Sequence, residues 1–146
     1  MMVDTRVLPH YAAGDLDVDF TIHGEGETLP TDTVWPDHSH PVHELLWTDV
    51  GVTRVTTGAQ RGHRLWTTST TLGLWIPAGV GHTASAPAGT RYRAAYLSLT
   101  AGAAVGDQPV SVEITPLLRG LLDHIETPGL AADPRASAER VILDLL

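Results

Sequence analysis

The chain has no cysteine and no lysine among its 146 residues. The first absence excludes disulfides, thiolate metal ligands and cysteine nucleophiles. The second leaves all nine positive charges to arginine, against 17 Asp and Glu, for a formal net charge of -8. Arginines scattered among a larger number of carboxylates offer no clustered cationic face to phosphate, so this segment is expected to bind no nucleic acid itself. No run approaches the ~18 apolar residues of a membrane span, and the N-terminal MMVDTRVLPHYAAGDLDVDF has no apolar stretch behind a basic start. A cytoplasmic protein with no membrane partner is the expectation. At ~100–200 residues per domain the length allows one core. Histidine is abundant: there are eight, three of them within six positions. Chemistry in this chain therefore runs through imidazole and carboxylate.

From about Asp17 to Leu99 the chain reads as short β-branched and aromatic runs: DVDFTIH, HELLWTD, VTRVTT, HRLWTT, LGLWIP, GHTASA and RYRAAYLSL. Gly and Pro cut them about every 8–12 positions, the pattern of an antiparallel sandwich or barrel. Asp49-Val50-Gly51 and Thr57-Gly58-Ala59 stand where hairpins reverse, and Pro77-Ala78-Gly79 separates two further strands. Asp15, Asp17 and Asp19 alternate as the charges of an edge strand do. Ala101 to Pro109 reads as a loop.

The period then changes. Thr115 followed by Pro116 is an N-cap with proline at the first helical position, and Leu117, Leu118, Leu121, Leu122 and Ile125 form an apolar stripe. Thr127-Pro128-Gly129 ends that helix. Asp133-Pro134 caps a second, whose stripe is Val141, Ile142, Leu145 and Leu146. The expected organisation is a β-barrel over residues 1–114 and two C-terminal helices over 115–146. An ending as apolar as VILDLL reads as a cut from a longer chain.

The most informative segment is Trp35-Pro36-Asp37-His38-Ser39-His40-Pro41-Val42-His43-Glu44. On a strand, i and i+2 share a face, so His38 and His40 point together; a strand resuming in phase adds Glu44 and turns His43 away. His82, after the turn Pro77 to Gly81, stands where a later strand could close the set. Three imidazoles and a carboxylate are a borderline donor set suited to a divalent Zn, Ni, Fe, Mn or Co ion. An octahedral ion would keep two positions open; a four-coordinate zinc would be closed or would have to expand. An HxH pair alone is more commonly a solvent-facing or hydrogen-bonded pair.

The whole arrangement is more specific. HSHPVHELLWTDVG has the form HxH, three residues, Glu, six residues, Gly, and GLWIPAGVGH has the form Gly, three residues, PxG, two residues, His. Both resemble the two motifs of the cupin superfamily, without the usual Gly upstream of the first and with Ala86 where the second commonly ends in Asn. The resemblance implies an all-β cupin double-stranded β-helix, or jelly-roll barrel, with His38, His40, Glu44 and His82 as metal ligands. More loosely, the barrel followed by VSVEITPLLRGLLDHI and AERVILDLL resembles the N-terminal domain of AraC-type transcriptional regulators. That likeness implies a small-molecule effector, a homodimer, and DNA contact made by a domain downstream.

If Glu44 faces the barrel interior, Leu46 and Thr48 do too, and Trp47 faces out to pack under the first helix or in a dimer contact. Tyr92 and Tyr96 share one face of their strand, and Arg91 and Arg93 the other; parity does not say which lines the barrel. The candidate ligand pocket is thus Leu46, Thr48, Tyr92, Tyr96 and Arg93, an inward arginine favouring a carboxylate or phosphate and inward tyrosines a neutral or aromatic ligand. Three functions follow in order: an effector sensor with no catalytic role, a small metal-dependent dioxygenase, isomerase or lyase, and a metal-free binding module.

Overall fold

The computed structural model describes residues 2–58 and 62–146. Among these described residues ten strands form two five-stranded sheets. The first runs β1 (Asp4–Thr5), β3 (Thr33–His38), β8 (His82–Ala86), β5 (Thr53–Thr57), β6 (Arg64–Thr68). The second runs β10 (Val110–Glu113), β7 (Leu72–Ile76), β4 (His43–Val50), β9 (Arg91–Leu97), β2 (Ile22–Thr28). All pairings are antiparallel except that of β1 with β3. The helices are α1 (Leu99–Gly102), α2 (Pro116–His124) and α3 (Ala132–Leu145).

Period-2 alternation sorts the side chains. On β4, Glu44, Leu46 and Thr48 face the first sheet, while Leu45 and Trp47 face the helices. One core lies between the sheets, with Leu46, Val55, Leu74, Ile76 and Ala94 at its centre. A larger one lies between the second sheet and α2 and α3, where Leu45, Trp47, Trp75 and Leu97 meet Leu118, Leu122, Ile125 and Ile142. Each of these large side chains is worth ~1.5–3 kcal/mol of burial, so the helices are integral to the fold. Trp47, 1% exposed, packs beneath the α2 stripe.

Several local expectations change. Of DVDFTIH only the last two residues are strand: regular pairing begins at Ile22, where β2 finds β9. The segment before it, with Asp15, Asp17 and Asp19, hydrogen-bonds instead to the loop between β3 and β4, through Tyr11 N to Ser39 Oγ at 2.8 Å and Gly14 N to Pro41 O at 2.9 Å. Asp49-Val50-Gly51 does not close a hairpin, because β4 and β5 belong to different sheets; Gly51, at φ 83°, carries the chain across. The Ala59 of the expected Thr57-Gly58-Ala59 turn lies outside the described residues, although β5 and β6 do pair antiparallel. Ser98 caps the short α1, whose last two residues take up the start of the expected loop. Thr115 caps α2, its hydroxyl accepting from Leu118 N. Helix α3 starts before Asp133, from Ala131, and buries Ala138, Glu139 and Ile142, while Val141 is 40% and Leu145 41% exposed.

Candidate metal centre

Three strands and one loop bring the donors together. His38 ends β3 and stands directly opposite His82, the first residue of β8. His40 lies in the loop between β3 and β4, and Glu44 is the second residue of β4. Two hydrogen bonds tie that loop and the first residue of β4 to the turn preceding His82: Gly79 N donates to His40 O at 2.8 Å, and Ala78 N to His43 Nδ1 at 3.0 Å. Gly79 sits at φ 78°, a left-handed conformation open to glycine at little cost. His43 faces outward, its ring 5.0 Å from that of Trp75.

The ligating nitrogens of His38, His40 and His82 lie within 4.8 Å of one another. Glu44 Oε1 is 3.4 Å from His40 Nε2 and 3.5 Å from His82 Nε2. These contacts are long for hydrogen bonds, and Oε1 is buried with no hydrogen-bond partner. Around it the imidazoles are already oriented. His38 Nδ1 is 2.8 Å from Pro36 O and His82 Nδ1 is 3.0 Å from Val80 O. A carbonyl only accepts, so Nδ1 carries a proton on both rings and in their neutral form the Nε2 lone pairs are free, the arrangement that orients metal-bound histidines. A buried carboxylate oxygen without a donor beside three imidazoles fits a divalent cation, which would satisfy it and be held by His38, His40, His82 and Glu44.

The electrostatics agree. Burial opposes ionisation of Glu44, but the His40 and His82 imidazoles outweigh it and hold the carboxyl well below the usual range. Burial, and next the neighbouring His82, push His38 down from 6.5 to about 4. Burial also works against a proton on His82; there the Glu44 carboxylate prevails and its pKa is raised.

The donors form one wall of a cavity of about 210 Å³ between the sheets, lined further by Leu46, Tyr92, Tyr96, Trp35, Glu25 and Arg6. The tyrosine face of β9 is therefore the inward one, and Tyr96 lies 5.2 Å from the His40 ring, centroid to centroid. Arg93 is corrected: it points to the opposite side of the sheet, buried at 5%, where it meets Asp49 at 2.9 Å, Asp123 at 2.8 Å and Glu126. Three carboxylates and the Trp47 face, 5.2 Å away, make that side the lower-energy home for a guanidinium. Thr48 shares the face of Glu44 but does not line the cavity; fully buried, its hydroxyl donates to Gly51 O at 2.7 Å.

Trp35, Arg6 and Glu25 were not singled out from sequence. Strict alternation puts Trp35 opposite His38. A bulge between these residues shifts the phase, so Trp35 pairs with Ala84 and His38 with His82, and both face inward. Arg6 and Glu25 reach the cavity only through the pairing of β1 with β3 and of β2 with β9, which no local pattern announces.

No family model matches the chain, and no curated protein does. Solved structures are similar in fold. An apo variant of ToxT from Vibrio cholerae has a TM-score of 0.64 at 5% identity, over 85% of this chain and 53% of that one. Variants of oxalate decarboxylase from Bacillus subtilis give 0.47 at 17% identity over 55% of this chain and 22% of theirs, or 0.47 at 14% over 88% and 32%. This chain thus spans less than two thirds of each. The ToxT likeness concerns fold alone, and it agrees with the observed architecture: an all-β jelly-roll barrel with C-terminal α-helices.

Proposed function

We propose that this chain is the sensing and dimerisation domain of an AraC-type transcriptional regulator, holding a divalent metal through His38, His40, Glu44 and His82 and a small effector beside it. When bound, the metal supplies an electrophilic anchor for an effector oxygen or nitrogen. One observation carries the sensing reading. Strand β9 presents Tyr92 and Tyr96 to the cavity and, from its other face, Arg93 to Asp123 and Glu126 at the end of α2. A ligand that displaces β9 therefore acts on the helix directly, and differential affinity of ~1–3 kcal/mol for two helix positions is enough for useful coupling. In the same reading two copies associate, DNA contact belongs to another segment, and the protein works in the cytoplasm.

Hydrogen exchange on the chain with and without zinc tests this. Metal loading should slow exchange in β9 and α2 as well as around His38 and His82, and the α2 effect should vanish in Arg93→Met. Protection confined to the donor loop, with turnover of a small acid or diketone on metal-loaded protein, would instead favour the enzyme. The observation in that reading's favour is Tyr96, whose hydroxyl-bearing ring stands beside His40.

A further inference from the structure

We infer that the cavity takes a small organic cation, an ammonium or guanidinium group on an aromatic or apolar body, with its positive end at Glu25. This rests on the reading of the cavity as a ligand site and does not need the metal.

Charge is the first argument. Glu25 and Glu44 line the cavity; apart from the three histidines grouped around Glu44, Arg6 is the only basic side chain doing so among the described residues. Arg6 is already committed: its Nε lies 2.9 Å from Asp4 and its Nη2 2.7 Å from Glu27. Two carboxylates already offset its charge, so an incoming carboxylate meets a net negative cluster there; Arg6 closes the seam between the sheets and recruits an anion poorly. Glu25, by contrast, has no ion-pair partner among the described residues. It sits opposite Ala94, between the tyrosines of β9.

The walls supply the second argument. Trp35 and Tyr92 meet edge to face at 5.4 Å, and Trp35 already receives the Arg6 guanidinium at 5.7 Å from its ring centroid. Aromatic faces beside a carboxylate with no cationic partner are a setting for an organic cation, and Glu25 stands at the solvent-exposed side of the cavity with the Tyr96 hydroxyl as a neutral hydrogen-bond donor. The tyrosines add no charge of their own: burial, and then Glu27 and Glu25, push Tyr92 up to about 12, and burial, Glu44 and Glu25 push Tyr96 up further. Both stay neutral.

Three probes built on one ring and chain separate the possibilities: 2-phenylethylamine, 2-phenylethanol and phenylacetate, titrated calorimetrically into the whole chain, once with chelator present and once zinc-loaded. The chelated arm decides the charge preference, since there the carboxylate has no metal to ligate. The amine should bind at least tenfold tighter than the alcohol, with phenylacetate weakest, and Glu25→Gln should bring the amine down to the alcohol while leaving the melting temperature of the free protein unchanged. Arg6→Gln, which frees Glu27, should keep or strengthen amine binding. Preference for phenylacetate that disappears in Arg6→Gln would overturn the proposal, as would an amine that fails to bind or is indifferent to Glu25→Gln. Stoichiometric zinc without amine preference refutes this inference and leaves the metal reading standing; amine preference without zinc retention does the reverse.

Discussion

Trp47 and Glu44 are three positions apart on β4 and serve opposite cores. Glu44 turns a carboxylate into the barrel, while Trp47 lies beneath α2 with its indole N–H unpartnered. Removing that ring leaves a cavity under Leu118, Leu122 and Ile125, so Trp47→Ala should lower unfolding stability by ~3–5 kcal/mol in urea titrations. A loss below about 1 kcal/mol would mean that the helices do not depend on this contact. Parity along HELLWTDV sufficed to place both residues from sequence. It did not suffice for RYRAAYL, where arginine and tyrosine alternate and either face could turn inward. What decides there is the trio Asp49, Asp123 and Glu126, contributed by β4 and the α2 region and invisible to any window around Arg93.

Among the elements, α3 shows how distant sequence completes an edge. Glu139 Oε2 accepts from Ile22 N at 3.1 Å and Arg135 Nη2 donates to Ile22 O at 2.6 Å, so the helix clasps the start of β2. Glu139→Ala strands a buried backbone donor and should cost ~1–3 kcal/mol, with faster exchange of the Ile22 amide as its local signature. Unchanged Ile22 exchange would show that the clasp does not hold the strand. Most strands and both C-terminal helices were legible from alternation, Gly and Pro punctuation and the Thr115-Pro116 cap. Strand β10 and the irregular 6–21 segment were not, because each is defined by its partner: β7 for one, the loop between β3 and β4 for the other. The bulge in β3 belongs to the same class, and with it the inward turn of Trp35.

At the scale of the whole molecule, the proposed donors from a loop and three strands tie stability and the proposed metal binding to the same protons. In metal-free protein His38 stays neutral down to about 4, while an unfolded chain takes up that proton near 6.5. Its contribution therefore costs nothing above 6.5 and destabilises the fold as pH falls toward 4. The depressed Glu44 works in the same direction, stabilising the fold above 4.5 and losing that effect as pH drops further. His82, raised, favours the fold below 6.5 and loses this as pH rises through its folded value. Melting temperatures measured with chelator should hence fall between about pH 6.5 and 4, and fall less in His38→Gln; an identical slope in that variant would contradict the assignment. The most direct measurement is metal content per chain by mass spectrometry after loading with zinc or manganese and dialysis. Parent protein should retain about one divalent ion per chain, His40→Ala and Glu44→Gln should retain little, and chelator should lower the melting temperature of the parent alone. A parent that keeps no metal and melts identically with and without chelator would contradict the account at its centre.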